Sequence, residues 1–157
     1  MSKAYLNNHW CCRCGKNTPT PYLQKNTKLF PKTGKVLDIG CGNGRNSKYM
    51  AQLGYKVDSI DMVSDFGKKI VLAKDPLPNK KYDIFLANYV FMFLTKRERY
   101  KVMGEMNDRA KNGSILMIEM YPAKKAYKYD MNDLINYFLK RNWTSLRRSK
   151  ERCILKR

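Results

Sequence analysis

The sequence predicts an α/β fold: a doubly wound, mostly parallel sheet in three layers, with helices on both faces and an antiparallel hairpin at its C-terminal end. Three observations predict it. Short apolar runs alternate with helix-like segments from residue 35 to residue 120. The first run breaks into three glycines within five residues, Gly40, Gly42 and Gly44. The last two runs are joined only by a tight turn, which leaves no room for a crossover helix and so demands antiparallel pairing.

The elements follow in order. Residues 1–34 are polar, carry Pro19, Pro21 and Pro31, and read as an arm separate from a domain over 35–157. One short helix is expected there over 22–30, begun after Pro21. A buried strand over 35–39 reads V-L-D-I between Gly34 and Gly40. A helix over 46–53 sets Tyr49, Met50 and Leu53 on one side, and Gly54 closes it. A second strand covers 56–62, with 64–67 as a turn. A third strand is expected over 70–74, ended by Pro76 and Pro78. The strongly apolar 82–90 is the fourth. Thr95 and Glu98 form a capping box for a helix to 110, which Asn112-Gly113 stops. A fifth strand spans 114–120. Asp130 or Asn132 caps a helix over 133–141, and 143–149 and 152–156 make the hairpin around Lys150-Glu151.

The chain has 157 residues, enough for one well-cored domain. It has no apolar run long enough to cross a membrane, and its first residues lack the layout of a signal peptide. A cytoplasmic protein is expected, with Cys11, Cys12, Cys14, Cys41 and Cys153 as reduced thiols. The formal net charge is +19. Residues 1–37 hold seven basic side chains and no acid, and residues 120–157 hold eleven against three. Basic flanks of this kind attract a polyanion such as nucleic acid, although a lysine-rich composition accounts for part of the excess.

The glycine loop carries the chemistry. Ligands bind at the carboxyl ends of strands in open α/β sheets, and glycines let the backbone approach them closely. The spacing G-x-G-x-G differs from the G-x-G-x-x-G of dinucleotide sites. Asp38, two residues before Gly40, would repel a pyrophosphate and favour an ammonium or sulfonium centre. Asp61, at the end of the second strand, can accept both hydroxyls of a ribose.

D38-I-G40-C-G42-N-G44 with Asp61 resembles the cofactor motif of class I S-adenosylmethionine-dependent methyltransferases, above all the small tellurite/thiopurine-type and type 11 members. The resemblance covers about residues 36–119 and implies a Rossmann-like sheet of seven strands. It implies a cofactor site made of Asp38, Gly40, Cys41, Gly42, Asn43 and Gly44 around the methionine part, with Asp61 on the ribose and Met62 on the adenine. Asp75 would meet the adenine amino group, and Asn88 and Tyr89 would flank the transferring methyl. A turn role for Asp75 and a core role for Tyr89 stand beside these. The sequence departs from the pattern between Asp61 and Ile70, where V-S-D-F-G-K-K is too short for the usual crossover helix. The arm, with Trp10, Tyr5 and Tyr22, could close over the cofactor or stack on bases.

The acceptor is harder to read. Asn88-Tyr89 is followed by Val90-Phe91 rather than by paired prolines, and no Pro-Cys nucleophile follows the fourth strand. Exocyclic-amine and cytosine C5 methylation are therefore not expected. Tyr121 and Pro122 could touch the acceptor. Lys124, Lys125 and Lys128, interleaved with Tyr127 and Tyr129, suit a phosphate-bearing one. A nucleic acid or ribonucleoprotein is favoured slightly over a small molecule. The alternative is a non-enzymatic subunit that binds an adenosyl cofactor or RNA. His9, Cys11, Cys12 and Cys14 include a C-x-x-C without a second ligand pair, so no metal site is expected.

Overall fold

The computed structural model describes residues 17–63, 66–120 and 129–157. Seven strands form one sheet: β1 (Lys35–Ile39), β2 (Lys56–Asp61), β3 (Lys68–Lys69), β4 (Tyr82–Asn88), β5 (Ala110–Glu119), β6 (Thr144–Arg148) and β7 (Arg152–Lys156). Their order is β3-β2-β1-β4-β5-β7-β6. The first five run parallel. β7 enters antiparallel between β5 and β6. The chain therefore turns outward in opposite directions from β1, and the order reverses between β1 and β4. A crevice opens there at the carboxyl ends of those strands.

Among the described residues, four helices cover the faces: α1 (Pro21–Asn26), α2 (Arg45–Gln52), α3 (Lys96–Arg109) and α4 (Met131–Leu139). On one face Leu23 of α1 and Met50 of α2 pack with Val36, Ile84, Leu86, Met117 and Ile154. On the other, Val102, Met103 and Met106 of α3 and Leu134, Ile135 and Phe138 of α4 cover Leu37, Ile39, Phe85, Leu116 and Ile118. Alternation along each strand divides its side chains between these two cores. Full burial of a side chain such as Phe85 or Leu37 is worth about 2–3 kcal/mol. The described part of the arm is thus built into the domain. α1 begins as the sequence demands, with Pro21 in its first turn and the Thr20 hydroxyl accepting from the Leu23 amide.

Several boundaries differ from expectation. The third strand is Lys68–Lys69, not 70–74, because Val71–Asp75 closes as a turn with Ala73 at φ 65°. The fourth strand stops at Asn88 because Tyr89 adopts φ 59°. The fifth begins at Ala110, directly after the helix, through a register shift between Tyr82 and Ile84. Thr95 and Glu98 form the expected capping box at the start of α3. Gly54 takes φ 91° just after α2, as a left-handed helix stop requires.

Candidate functional site

The loop after β1 is pinned to the end of β2. The amides of Gly40 and Cys41 both donate to the Ile60 carbonyl, at 2.8 and 3.0 Å. Gly40, Gly42 and Gly44 all have positive φ, at 70°, 54° and 76°. A Cβ on Gly40 would lie 2.8 Å from Val90 Cγ2, so only glycine lets β4's continuation come this close. No side chain caps α2 at Gly44, and its first turn faces the same crevice.

Asp61 joins the loop to the second strand. Its Oδ2 accepts from the Gly42 amide at 3.0 Å and its Oδ1 from the Val63 amide at 2.9 Å. Asp38 is buried below. Its Oδ2 accepts from the Ser47 hydroxyl at 2.6 Å, and Ser59 donates to Ser47 at 2.7 Å. Burial, with a smaller contribution from the negative charge of Asp61, pushes the Asp38 carboxyl up to about 6 against the opposing hydrogen bond from Ser47. Cys41 is buried in the loop, and Asn43 accepts from the Arg45 amide through its Oδ1.

Beside Asp61 and Gly40 opens an apolar pocket of about 110 Å3, walled by Met62, Ile70, Leu72, Val90, Phe93 and Leu94. Met62, which the family resemblance would set against the adenine, is one of its walls. The short segment after Asp61 forms that wall with Ile70 and Leu72 in place of a crossover helix. Phe66 covers the loop from outside: a Cβ on Gly44 would meet its ring at 2.3 Å. Asp75 is exposed and stands off the pocket wall. Its Oδ2 accepts from the Val71 amide at 2.8 Å and fixes the turn that presents Leu72. The structure therefore gathers Asp38, the glycine loop, Asp61, Met62 and Tyr89, while Asp75 is engaged by the Val71 turn.

A second centre lies at the ends of β4 and β5, where Glu119 is 1% exposed. Its Oε1 accepts from Thr20 Oγ1 at 2.7 Å and Asn88 Nδ2 at 2.6 Å. Its Oε2 accepts from the Tyr89 hydroxyl at 3.1 Å and lies 3.3 Å from Arg152 Nε. The Thr20 amide donates to Asn46 Oδ1 at 2.9 Å, which ties the start of α1 to α2. Asn88 Oδ1 is buried and has no hydrogen-bond partner among the described residues. Sequence reasoning missed Glu119, although the signal was present. Glu119 is the lone acid in S-I-L-M-I-E-M, as Asp38 is in V-L-D-I. An acid inside a buried strand needs partners or a ligand.

Among the described residues no group of acids, histidines and cysteines could hold a metal ion. No described helix is long and apolar enough to cross a membrane. Tyr5, His9, Trp10, Cys11, Cys12, Cys14, Tyr121, Pro122, Lys124, Lys125, Tyr127 and Lys128 lie outside the described residues.

Known proteins share this fold. The structure of TehB from Haemophilus influenzae superposes with a TM-score of 0.70 at 21% identity, covering 88% of this chain and 61% of that one. The chain has the fold of the class I S-adenosylmethionine-dependent methyltransferases. The model of the TehB family, tellurite resistance protein TehB, matches residues 20–75, which span α1, the glycine loop and Asp61. A curated relative, the probable S-adenosyl-L-methionine-dependent methyltransferase TehB of Haemophilus influenzae, is 27% identical over 135 residues. That alignment covers 71% of this chain and 46% of the relative, so the chain spans about half the length of the curated TehB proteins it matches. A 1,6-didemethyltoxoflavin-N1-methyltransferase from Burkholderia thailandensis, solved with 1,6-didemethyltoxoflavin and S-adenosylhomocysteine, shares this methyltransferase fold with a TM-score of 0.67 at 11% identity. It covers 87% of this chain and 75% of that one.

Proposed function

We propose that the chain binds S-adenosylmethionine and transfers its methyl group to a small molecule. The observation that carries the reading is the contact between the Gly42 amide and Asp61 Oδ2 beside the apolar pocket. It brings a bare backbone, a ribose-type carboxylate and an adenine-sized wall to one point at the carboxyl end of the sheet.

The residues present fit such a cofactor. The glycine cradle would be filled by any Cβ at Gly40, and the orphaned Asn88 Oδ1 offers an acceptor at the end of β4. When bound, the cofactor supplies a methyl group on a sulfonium leaving group. Asp61 would hold the ribose hydroxyls, and Met62, Ile70 and Leu72 would pack on the adenine. Ionised Asp38 would favour a positive centre next to the loop. Asn88 and Tyr89, fixed by Glu119, would orient the methionine part and keep water from the transfer path.

Two observations favour a small acceptor over a macromolecule. The pockets at this end of the sheet are concave. The toxoflavin methyltransferase of the same fold was solved with a small heterocycle. A nucleic-acid acceptor is the second reading, and it rests on β6, which is exposed along its whole length and ends in Arg147 and Arg148.

Calorimetric titration with S-adenosylhomocysteine tests the cofactor reading. Wild type should bind in the micromolar range, and Asp61→Ala should lose at least about tenfold in affinity, since two charge-assisted hydrogen bonds and the ribose contact vanish together. Equal affinities would reject Asp61 as the ribose ligand. No binding to folded wild type would reject the methyltransferase reading itself.

A further inference from the structure

A second concavity opens at the far edge of the same sheet end. It has a volume of about 690 Å3, and its walls include Asn132 and Asn136 of α4 with Arg148, Ser149 and Lys150 of the hairpin. Topology sets its place. β6 is antiparallel to β7, and β7 is antiparallel to β5, so β6 ends at the same side as β4 and β5. Register confirms it: Glu119 pairs with Arg152, and Arg148 pairs with Cys153. From Asn88 the strands β5, β7 and β6 follow in order, so Arg148 lies three strand spacings, roughly 14 Å, from the end of β4.

Some cations of the molecule are held by acids. Lys80, Lys96, Arg109, Lys111 and Arg152 each lie within ion-pair distance of an acid. Among the described residues, Arg148 and Lys150 make no ion pair. Strand alternation separates Arg148 from Arg147, whose charge acts on Tyr22 of α1 on the opposite face. One acid, Asp130, belongs to the wall, and its Oδ1 is engaged by the Asn132 amide as the cap of α4. Two cations and two side-chain amides converge on one concave space, with the amide groups of Asn132 and Asn136 able to donate.

We propose that this pocket binds an acidic group, a phosphate or carboxylate, on the far end of the methyl acceptor. The proposal rests on the methyltransferase reading and deepens it. The acceptor is then an anionic small molecule whose acid and methyl-accepting atom are about 14 Å apart, the span from Arg148 to the end of β4. A guanidinium at the end of β6 and an ammonium on the tight turn after it suit this task, because strand and turn fix where both side chains start.

The test uses inorganic pyrophosphate as probe, at about 0.15 M salt to screen non-specific attraction. Calorimetry compares wild type, the double variant Arg148→Ala/Lys150→Ala, and the control Lys25→Ala/Lys28→Ala, which removes equal charge from exposed positions around α1. One-to-one binding should weaken at least about tenfold in the pocket variant and stay unchanged in the control. Equal weakening in both variants, or none in either, overturns the pocket. A ten-nucleotide oligouridylate that binds more tightly than pyrophosphate and loses more affinity in the pocket variant overturns the small-molecule assignment in favour of nucleic acid. Titration of the same preparations with S-adenosylhomocysteine keeps the two readings apart. Cofactor binding without a pyrophosphate site removes only this proposal, and a pyrophosphate site without cofactor binding removes the reading it rests on.

Discussion

The hydroxyl of Thr20 donates to Glu119 Oε1 at 2.7 Å across 99 positions of sequence. One buried carboxylate thereby fixes the start of α1, the end of β4 and the side chain of Arg152. Breaking one spoke should cost less than removing the hub. Thr20→Val loses this bond and the weak helix cap to Leu23, and should destabilise by about 1–3 kcal/mol. Glu119→Ala strands the amide of Asn88, the Tyr89 hydroxyl and Arg152 together, and should cost about 3–5 kcal/mol. Urea denaturation measures both. If Glu119→Ala were no worse than Thr20→Val, the network would not be centred on Glu119.

Tyr89 holds φ 59° while its hydroxyl reaches Glu119. A non-glycine residue in this region carries about 1–2 kcal/mol of strain, which the surrounding contacts must offset. Tyr89→Phe keeps the backbone and removes only the bond, so a loss near 1 kcal/mol is expected. Tyr89→Gly relieves the strain but forfeits ring packing and should gain mobility at the end of β4. Cofactor affinity should then drop more in Tyr89→Gly than in Tyr89→Phe. The reverse order would show that the hydroxyl, not the fixed backbone, matters for binding.

The parts of this fold that were legible in the sequence are those set by local pattern. V-L-D-I with Gly40, Gly42 and Gly44 gave β1 and the loop, Thr95 with Glu98 gave the start of α3, and the bare turn at Lys150-Glu151 gave the hairpin. The parts that were not legible depend on distant contacts. β3 is two residues long because it pairs only with Ile60 and Asp61, and no pattern in Lys68-Lys69 announces a strand. Thr20 caps α1, a role the sequence reading did not assign, and only the folded chain shows that it also serves Glu119. Asp75 had two readings, and only the folded chain shows that its carboxylate accepts from the Val71 amide.

Gly44 and Phe66 form a testable pair. Alanine at 44 would adopt a strained φ of 76° and place its Cβ 2.3 Å from the Phe66 ring. The ring is 43% exposed and can swing away, so the collision is the smaller part. Gly44→Ala should cost about 1–2 kcal/mol in wild type. In a Phe66→Ala background the cost should fall toward the backbone strain alone, about 1 kcal/mol, giving a measurable coupling in a double-mutant cycle. Strict additivity would mean that Phe66 does not rest on the loop.

Asp38 predicts a pH dependence whose sign can be worked out. Its carboxyl is raised to about 6 from an ordinary 3.8, so the folded state holds the proton more tightly than the unfolded chain. The stability this confers is fully present below about pH 4 and is lost as pH rises through about 6, by a total of order 3 kcal/mol. Asp38→Asn lacks this slope, so its stability relative to wild type should climb between pH 4 and pH 7. Ligand binding should show the opposite preference. An ionised Asp38 favours the positive amine of the cofactor, so wild-type affinity for S-adenosylhomocysteine should weaken below about pH 6 while that of Asp38→Asn stays low and flat. The neighbouring charges Asp61 and Arg45 remain in both proteins, so comparison with the variant isolates Asp38. Parallel stability curves for the two proteins across pH 4–7 would mean that Asp38 is ionised in the fold at no cost.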